Sequence, residues 1–84
     1  MKLVLVEWFD SHAGTGWSNK DQLDSATQPM HCKSVGWLFS KDSVSTVVVP
    51  HRAGIENSET FQLGRGDISI PNGSILKITV LRKS

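Results

Sequence analysis

The sequence predicts an all-β fold, a small five-stranded antiparallel barrel of the SH3-like type with one short helical segment near residues 19–27. Three observations predict it. Runs of apolar and β-branched residues of strand length recur along the chain, polar or glycine-containing turns separate them, and one tight turn at 71–74 joins the last two runs. An OB-like barrel is the second choice, because that fold normally has a longer chain and a larger helix.

The length and composition predict one folded domain that spans residues 1–84. A chain of 84 residues is near the lower limit for a single small core without disulfides or metals. Its 38% hydrophobic and 20% charged residues are typical of globular domains and not of disordered chains. The nine basic and eight acidic residues are interspersed, so the basic patch expected of a general nucleic-acid binder is not evident.

The cysteine content and hydropathy indicate a soluble protein of a reducing compartment. The single cysteine cannot form an internal disulfide, which favours the cytoplasm over a secreted setting. The apolar start of the chain is too short for a signal peptide, and no run approaches the roughly 20 apolar residues of a membrane span. We therefore expect no membrane partner.

The first third of the chain predicts a strand, a loop and a short helix. Leu3–Phe9 is apolar on both alternating faces apart from one glutamate, as in a strand covered on both sides. Residues 10–16 are polar with two glycines, which is typical of a loop. Ser18 is a suitable N-cap for one or two helical turns, which Pro29 ends.

The stretch from Cys32 to Pro50 predicts a hairpin at the centre of the fold. Residues 33–39 alternate, residues 44–49 are rich in β-branched side chains, and the polar segment 40–43 has the length of a hairpin turn. Pro50 cannot donate a ladder hydrogen bond and therefore closes the second strand. The side chains expected to fill the barrel are those of Val35, Trp37, Phe39 and the valines of the second strand.

The last third predicts a long loop and two strands. Residues 51–60 are polar and predict a hairpin loop with Ile55 tucked in. A fourth strand begins at 61–63 and resumes at 67–70, and the glycines on either side of Arg65 indicate a bulge, a bend or a hairpin tip between the two parts. The fifth strand is expected to place Leu76, Ile78 and Val80 on one face and Ile75 and Leu81 on the other.

Several short motifs, spread over nearly the whole chain, resemble a group of small uncharacterised phage and prophage proteins. The matching positions are Trp8, Asp10, Gly16, Trp17, Ser34, Val35, Gly36, Ile70, Pro71, Ile75, Ile78 and Leu81. The resemblance implies a phage-encoded accessory protein of the host cytoplasm and implies no particular activity. The chain departs from the group by being longer around residues 52–66.

Chemistry-bearing residues do not combine into a predicted catalytic or metal site. Asp10, Ser11 and His12 are the residue types of a hydrolase triad, but consecutive residues cannot point their side chains at one another in the required relay. His31 and Cys32 are adjacent on a strand and therefore face opposite sides of the sheet, so they cannot share one metal ion. We expect a non-enzymatic protein without metal or cofactor, with Cys32 as a small buried hydrophobe.

Aromatic and cationic loop residues are the candidate binding residues. SH3-like barrels use the aromatic wall beside their first long loop, which by analogy points to residues 10–17. The chain has no tyrosine, which argues against proline-rich peptides. The sequence Arg65-Gly66-Asp67 is expected to be a charged hairpin tip that holds the arginine in solvent. The binding residues predicted from the sequence are Asp10, His12, Trp17, His51, Arg52 and Arg65.

These features favour a protein-binding module over a nucleic-acid-binding barrel. The leading hypothesis is an accessory protein that docks on a host or phage protein and inhibits or redirects it, and open strand edges also allow a homo-oligomer. The alternative is an Sm-like or OB-like barrel that binds nucleic acid or a small nucleotide. The cations available for that alternative are His51, Arg52, Arg65, Arg82 and Lys83.

Overall fold

The computed structural model describes residues 1–10, 17, 19–21, 30–57 and 60–83, and these are mainly β-strand, as predicted. The elements are β1 (Leu3–Asp10), β2 (Met30–Lys41), β3 (Ser45–Val49), β4 (His51–Ile55), β5 (Phe61–Arg65), β6 (Ile68–Pro71), a 3-10 helix (Asn72–Ser74) and β7 (Ile75–Arg82). The predicted loop at 10–16 and the predicted helical segment at 19–27 lie largely outside the described residues. In the described part of the chain, no helix has the length and apolar character needed to cross a membrane.

Five strands form one antiparallel sheet in the order β6-β3-β2-β1-β7. The predicted central hairpin is confirmed, since β2 and β3 pair antiparallel with Trp37 opposite Val49. β1 lies between β2 and β7, and Leu3 is the partner of Trp37 on one side and of Arg82 on the other. The middle of the sheet therefore consists of the first strand and the central hairpin.

The prediction that residues 51–60 form a loop is wrong. Residues 51–55 form β4, which pairs antiparallel with β5 in a separate two-stranded sheet, called the arm below. Ile55 is exposed on the arm and is not tucked in. The segment His-Arg-Ala-Gly-Ile has little intrinsic strand preference, so its strand conformation depends on the ladder hydrogen bonds to β5 rather than on local propensity.

The arm leaves the sheet at a bend formed by Pro50 and Gly66. Val48 pairs with Ile68 before the bend and His51 pairs with Arg65 after it, so β3–β4 and β5–β6 are two halves of one bent hairpin. Gly66 has a φ of +74°, and a Cβ there would lie 3.1 Å from the Pro50 Cγ atom.

Of the bulge, bend or hairpin tip predicted around Arg65, the structure has the bend, between β5 and β6. The prediction of a charged hairpin tip is wrong, because Arg65 pairs with His51 at the bend. At the other end of the arm the Glu56 N–H donates to the Thr60 carbonyl over 3.0 Å.

The core lies on the face of the sheet opposite to the one predicted from β2. Its fully buried members are Val4, Val6, Val48 and Ile70, and the partly buried hydrophobic residues packed against them are Trp8, Leu38, Ile68, Ile75 and Ile78. Val35 and Phe39 were expected inside, but they are 52% and 56% exposed, and Trp37 is only half-buried. Of the valines expected inside, Val48 and Val49 are buried, but Val44 is 72% exposed.

Small residues on β2 explain why this face is the inner one. A Cβ atom on Gly36 would lie 2.5 Å from the Val48 Cγ1 atom, so the valine occupies the space that a side chain at 36 would need. The Trp8 indole Nε1 donates to the Ser34 hydroxyl over 3.0 Å. The short side chains at 34 and 36 thus let bulky neighbours from β1 and β3 pack against β2.

The face prediction for the last strand is wrong at the start of the strand. Ile75 packs against the core together with Ile78, whereas Leu76 is exposed. The cause is a register shift in the β1–β7 pairing between Glu7 and Trp8, which breaks the strict alternation of faces along the strand. Ile78 and Val80 share a face as predicted, since they pair with the core residues Val6 and Val4.

The two edge strands of the sheet are consecutive in sequence. β6 and β7 lie at opposite edges, and the predicted tight turn between them is the 3-10 helix. Because three residues span only a short distance, the sheet must curl to bring its edges together. Among the described strands β6 and β7 do not pair with each other, so the sheet is curled but not closed into the predicted barrel.

Asn72 attaches this edge connection to the central hairpin. Its Nδ2 donates to the Asp42 carbonyl over 2.7 Å, its backbone N–H donates to the Val44 carbonyl over 2.9 Å, and its Oδ1 accepts from the buried Thr46 hydroxyl over 2.7 Å. Hydrogen bonds from the backbone N–H groups of Ser45 and Val44 lower the pKa of the Asp42 carboxyl. One polar network thus joins the β2–β3 turn to the 3-10 helix.

Replacement of Gly36 by alanine is expected to destabilise the fold by about 1–3 kcal/mol, because the new methyl group overlaps Val48 and the backbone of Val49. Gly73→Ala is the matched control, since a Cβ there meets nothing within 4 Å, and it should change the stability by less than about 0.5 kcal/mol. Urea denaturation of both variants measures the difference. Equal midpoints for the two variants would contradict the packing described for Gly36.

Replacement of Asn72 by alanine is expected to cost about 1–3 kcal/mol, because the buried Thr46 hydroxyl loses its acceptor. The double-mutant cycle with Thr46→Val should give a coupling energy of about 0.5–3 kcal/mol, since both changes remove the same hydrogen bond. Urea denaturation of the wild type, both single variants and the double variant supplies the four free energies. Additive effects would show that the hydrogen bond does not contribute to stability.

Candidate binding site

A cation–aromatic cluster attaches the arm to the sheet. The guanidinium carbon of Arg52 lies 4.0 Å from the centroid of the Trp37 ring and 6.0 Å from that of Phe61. Phe39 and Phe61 meet edge to face with centroids 6.0 Å apart and planes at 69°. The Nε atom of Arg52 is buried in this contact. Stacking and edge-to-face contacts of this kind hold the arm against β2.

The bend in the chain brings these side chains together. Trp37 on β2 pairs with Val49, the last residue of β3, and Arg52 follows three residues later, just beyond Pro50. Because the chain bends at Pro50, β4 leaves the sheet, and the Arg52 side chain lies over the ring of Trp37. The arginine covers the tryptophan face that would otherwise be exposed.

The larger surface depression lies along the arm and has a volume of about 510 Å³. Its lining residues are His51, Arg52, Ala53, Leu63, Gly64 and Arg65. His51 and Arg65 are directly opposite each other on the two strands, a position in which Cβ atoms are about 4.5–5.5 Å apart. Leu63 is 68% exposed. The depression therefore combines cationic or hydrogen-bond-donating side chains with exposed aliphatic surface.

A second, smaller depression of about 210 Å³ lies between the arm and the sheet. Its lining residues are Phe39, Val47, Val49, Phe61, Gly64 and Asp67. Gly64 borders both depressions, and a Cβ there would lie 3.0 Å from the Val49 Cγ1 atom and 3.4 Å from the Phe61 Cε2 atom. The missing side chain lets β5 lie close to the end of β3, and the space left is apolar with one carboxylate.

The structure brings together three of the six binding residues predicted from the sequence. His51, Arg52 and Arg65 all line the larger depression. Asp10 ends β1 opposite Met30, at the other end of that strand from Leu3 and the arm. Trp17 is fully exposed and has no contact with the depression among the described residues, and His12 lies outside them.

Sequence reasoning missed the aliphatic and aromatic members of the site. Ala53 and Leu63 were not predicted because residues 51–60 were interpreted as a loop. The available signal was the alternation of apolar and other residues from 61 to 65, which is typical of a strand. Pairing of that strand with residues 51–55 places Ala53 opposite Leu63. The contact of Phe39 and Trp37 with the arm depends on the bend at Pro50, which no local pattern specifies.

The histidine and the cysteine on β2 contact other groups of the sheet. Glu7 lies 3.8 Å from the Lys33 ammonium and 3.9 Å from the His31 imidazole. Cys32 is half-buried rather than buried as predicted, and its thiol contacts the Met30 carbonyl at 3.6 Å. Within the described ranges no three histidine, cysteine or acidic side chains are grouped closely enough to hold a metal ion.

Replacement of Arg52 by lysine is expected to destabilise the protein by about 0.5–2 kcal/mol, because an ammonium group keeps the charge but cannot stack as a plane on Trp37. Arg65→Lys is the matched control, and its exposed side chain predicts a change below about 0.5 kcal/mol. Urea denaturation followed by tryptophan fluorescence measures both. Equal urea midpoints for the two variants would show that stacking of Arg52 on Trp37 does not stabilise the protein.

Comparison with known proteins does not identify a relative. No family model matches the chain, and neither a curated protein nor a solved structure matches it. A function for this protein is therefore argued from the residues of the arm and of the two depressions.

Proposed function

We propose that the protein is a non-enzymatic protein-binding module and that the arm carries its binding surface. One observation carries the proposal. The two-stranded arm presents the exposed aliphatic side chains of Ile55 and Leu63 together with the cationic or hydrogen-bond-donating side chains of His51 and Arg65. Exposed apolar surface next to charged groups is typical of interaction sites. The lining of the larger depression offers no hydroxyl or thiol nucleophile.

We further propose that the curled sheet is an open variant of an SH3-like barrel, with its two edge strands not paired to each other in the described part of the chain and with one hairpin extended. The strand order, in which the last strand returns beside the first, supports this assignment, as does the 3-10 helix between the two edge strands. In this interpretation the arm is a prolongation of the hairpin formed by β3 and β6. Such a barrel provides a rigid base from which a binding element projects.

The biological setting is part of the same proposal. The resemblance to phage and prophage proteins supports a role in the host cytoplasm, where the module docks on a host or phage protein and inhibits or redirects it. The edge strands β6 and β7, each paired on one side among the described strands, also offer edges at which a second copy of the chain could add.

A nucleic-acid partner is the weaker candidate. Single-stranded nucleic acids bind to exposed aromatic faces and to several cations that contact phosphates. The Trp37 face is already covered by Arg52, and the exposed apolar residues of the arm are aliphatic. Arg82 and Lys83, at the end of β7, are not among the residues that line the larger depression.

Replacement of Leu63 by serine is expected to reduce capture of a specific partner from host lysate at least about tenfold, because it removes exposed apolar surface from the centre of the proposed interface. Leu81→Ser is the matched control, since Leu81 is 51% exposed on β7 and lines neither depression. Quantitative affinity capture with immobilised wild-type protein and both variants measures the effect. Capture that is equal for all three proteins would overturn the proposal, and so would salt-dependent recovery of nucleic acid alone.

A further inference from the structure

We infer that the larger depression on the arm binds an acidic side chain of an extended peptide segment, with a large aliphatic residue two positions away in that segment on Leu63, because Leu63 and Arg65 are themselves two positions apart on β5. The inference rests on the proposed function and names the chemistry of the partner. The depression has a volume of about 510 Å³, within the range of sites that hold small ligands or a few side chains.

The cross-strand pair explains the preference for an anion. His51 and Arg65 are partners on the two strands of the arm, and both line the depression. An arginine offers up to five N–H donors, and an imidazole offers one or two. A carboxylate placed between these side chains accepts charge-assisted hydrogen bonds from the guanidinium and a further hydrogen bond from the imidazole.

The carboxylates of the chain do not already fill this role within the described residues. Glu7 forms its ion pairs with Lys33 and His31 on the sheet, and none of the ion pairs there includes Arg65. Asp67 lines the smaller depression and not the larger one. The Arg65 guanidinium is thus directed at surface that a partner can reach.

The aliphatic surface favours a peptide over a free anion. Leu63 is 68% exposed and lies opposite Ala53, so an apolar patch borders the two donor side chains. A free phosphate would leave that patch uncovered, whereas a leucine two residues from a glutamate in an extended segment covers it. The arm is itself a two-stranded ribbon, so an extended segment can lie along it with alternate side chains facing it.

Titration of the full ¹⁵N-labelled chain with short peptides tests the inference. The probes are N-acetyl-Leu-Ala-Glu-amide, in which the leucine and glutamate side chains face the same side of an extended segment, its neutral analogue N-acetyl-Leu-Ala-Gln-amide, inorganic phosphate and uridine monophosphate. Amide resonances of β4 and β5 are expected to shift with the Glu peptide, with a dissociation constant on the order of 1 mM, and the Gln peptide should bind about tenfold more weakly. Arg65→Gln should reduce binding of the Glu peptide about tenfold, and Arg82→Gln should leave it unchanged.

Each outcome decides for or against the inference. Equal binding of the Glu and Gln peptides, shifts confined to other strands, or unchanged binding by Arg65→Gln would overturn it. Phosphate or uridine monophosphate that binds the arm as tightly as the Glu peptide would also overturn it, in favour of a free anion or nucleotide. If Leu63→Ser abolishes capture of a partner while Arg65→Gln does not, the proposed function stands and the acidic ligand is wrong.

Discussion

The fold depends on a connection of three residues between the two opposite edges of one sheet. The 3-10 helix Asn72–Ser74 links β6 to β7, so the sheet has to curl, and the curl encloses the small core of Val4, Val6, Val48 and Ile70. Asn72 fixes this connection by hydrogen bonds to the β2–β3 turn. A chain of 84 residues has little apolar surface to bury, so one buried polar network that sets the geometry has a large share in its stability.

The arm depends on a second, independent contact. The Arg52 guanidinium on Trp37 supplies the packing that a two-stranded ribbon lacks by itself, because an isolated hairpin is at best marginally stable in water. The same contact leaves the aliphatic residues of the ribbon exposed. Structure and proposed binding are therefore divided between residues: Arg52 holds the arm in place, while Leu63 and Arg65 are available to a partner.

The sequence pattern was sufficient for the elements whose own residues specify them. β1, the central hairpin and the turn at 71–74 have strong local signals and were predicted. The inner face of β2 was not predicted, because the bulky residues at 35, 37 and 39 suggest that their own face is buried. The sheet instead buries the opposite face, where Gly36 leaves room for Val48. β4 was missed because its residues become a strand only by pairing with β5. Of the site, the cations were predicted from their type, but their convergence depends on the bend at Pro50.

The position of β1 has a consequence for folding during synthesis. This strand is made before the other described strands, yet its second partner is β7, and Leu3 pairs with Arg82, 79 positions later in the sequence. On the ribosome the hairpins β2–β3 and β4–β5 can form from local contacts, but one side of β1 stays open until β7 has emerged. The nascent chain therefore carries an unpaired apolar edge throughout the synthesis of the strands between β1 and β7.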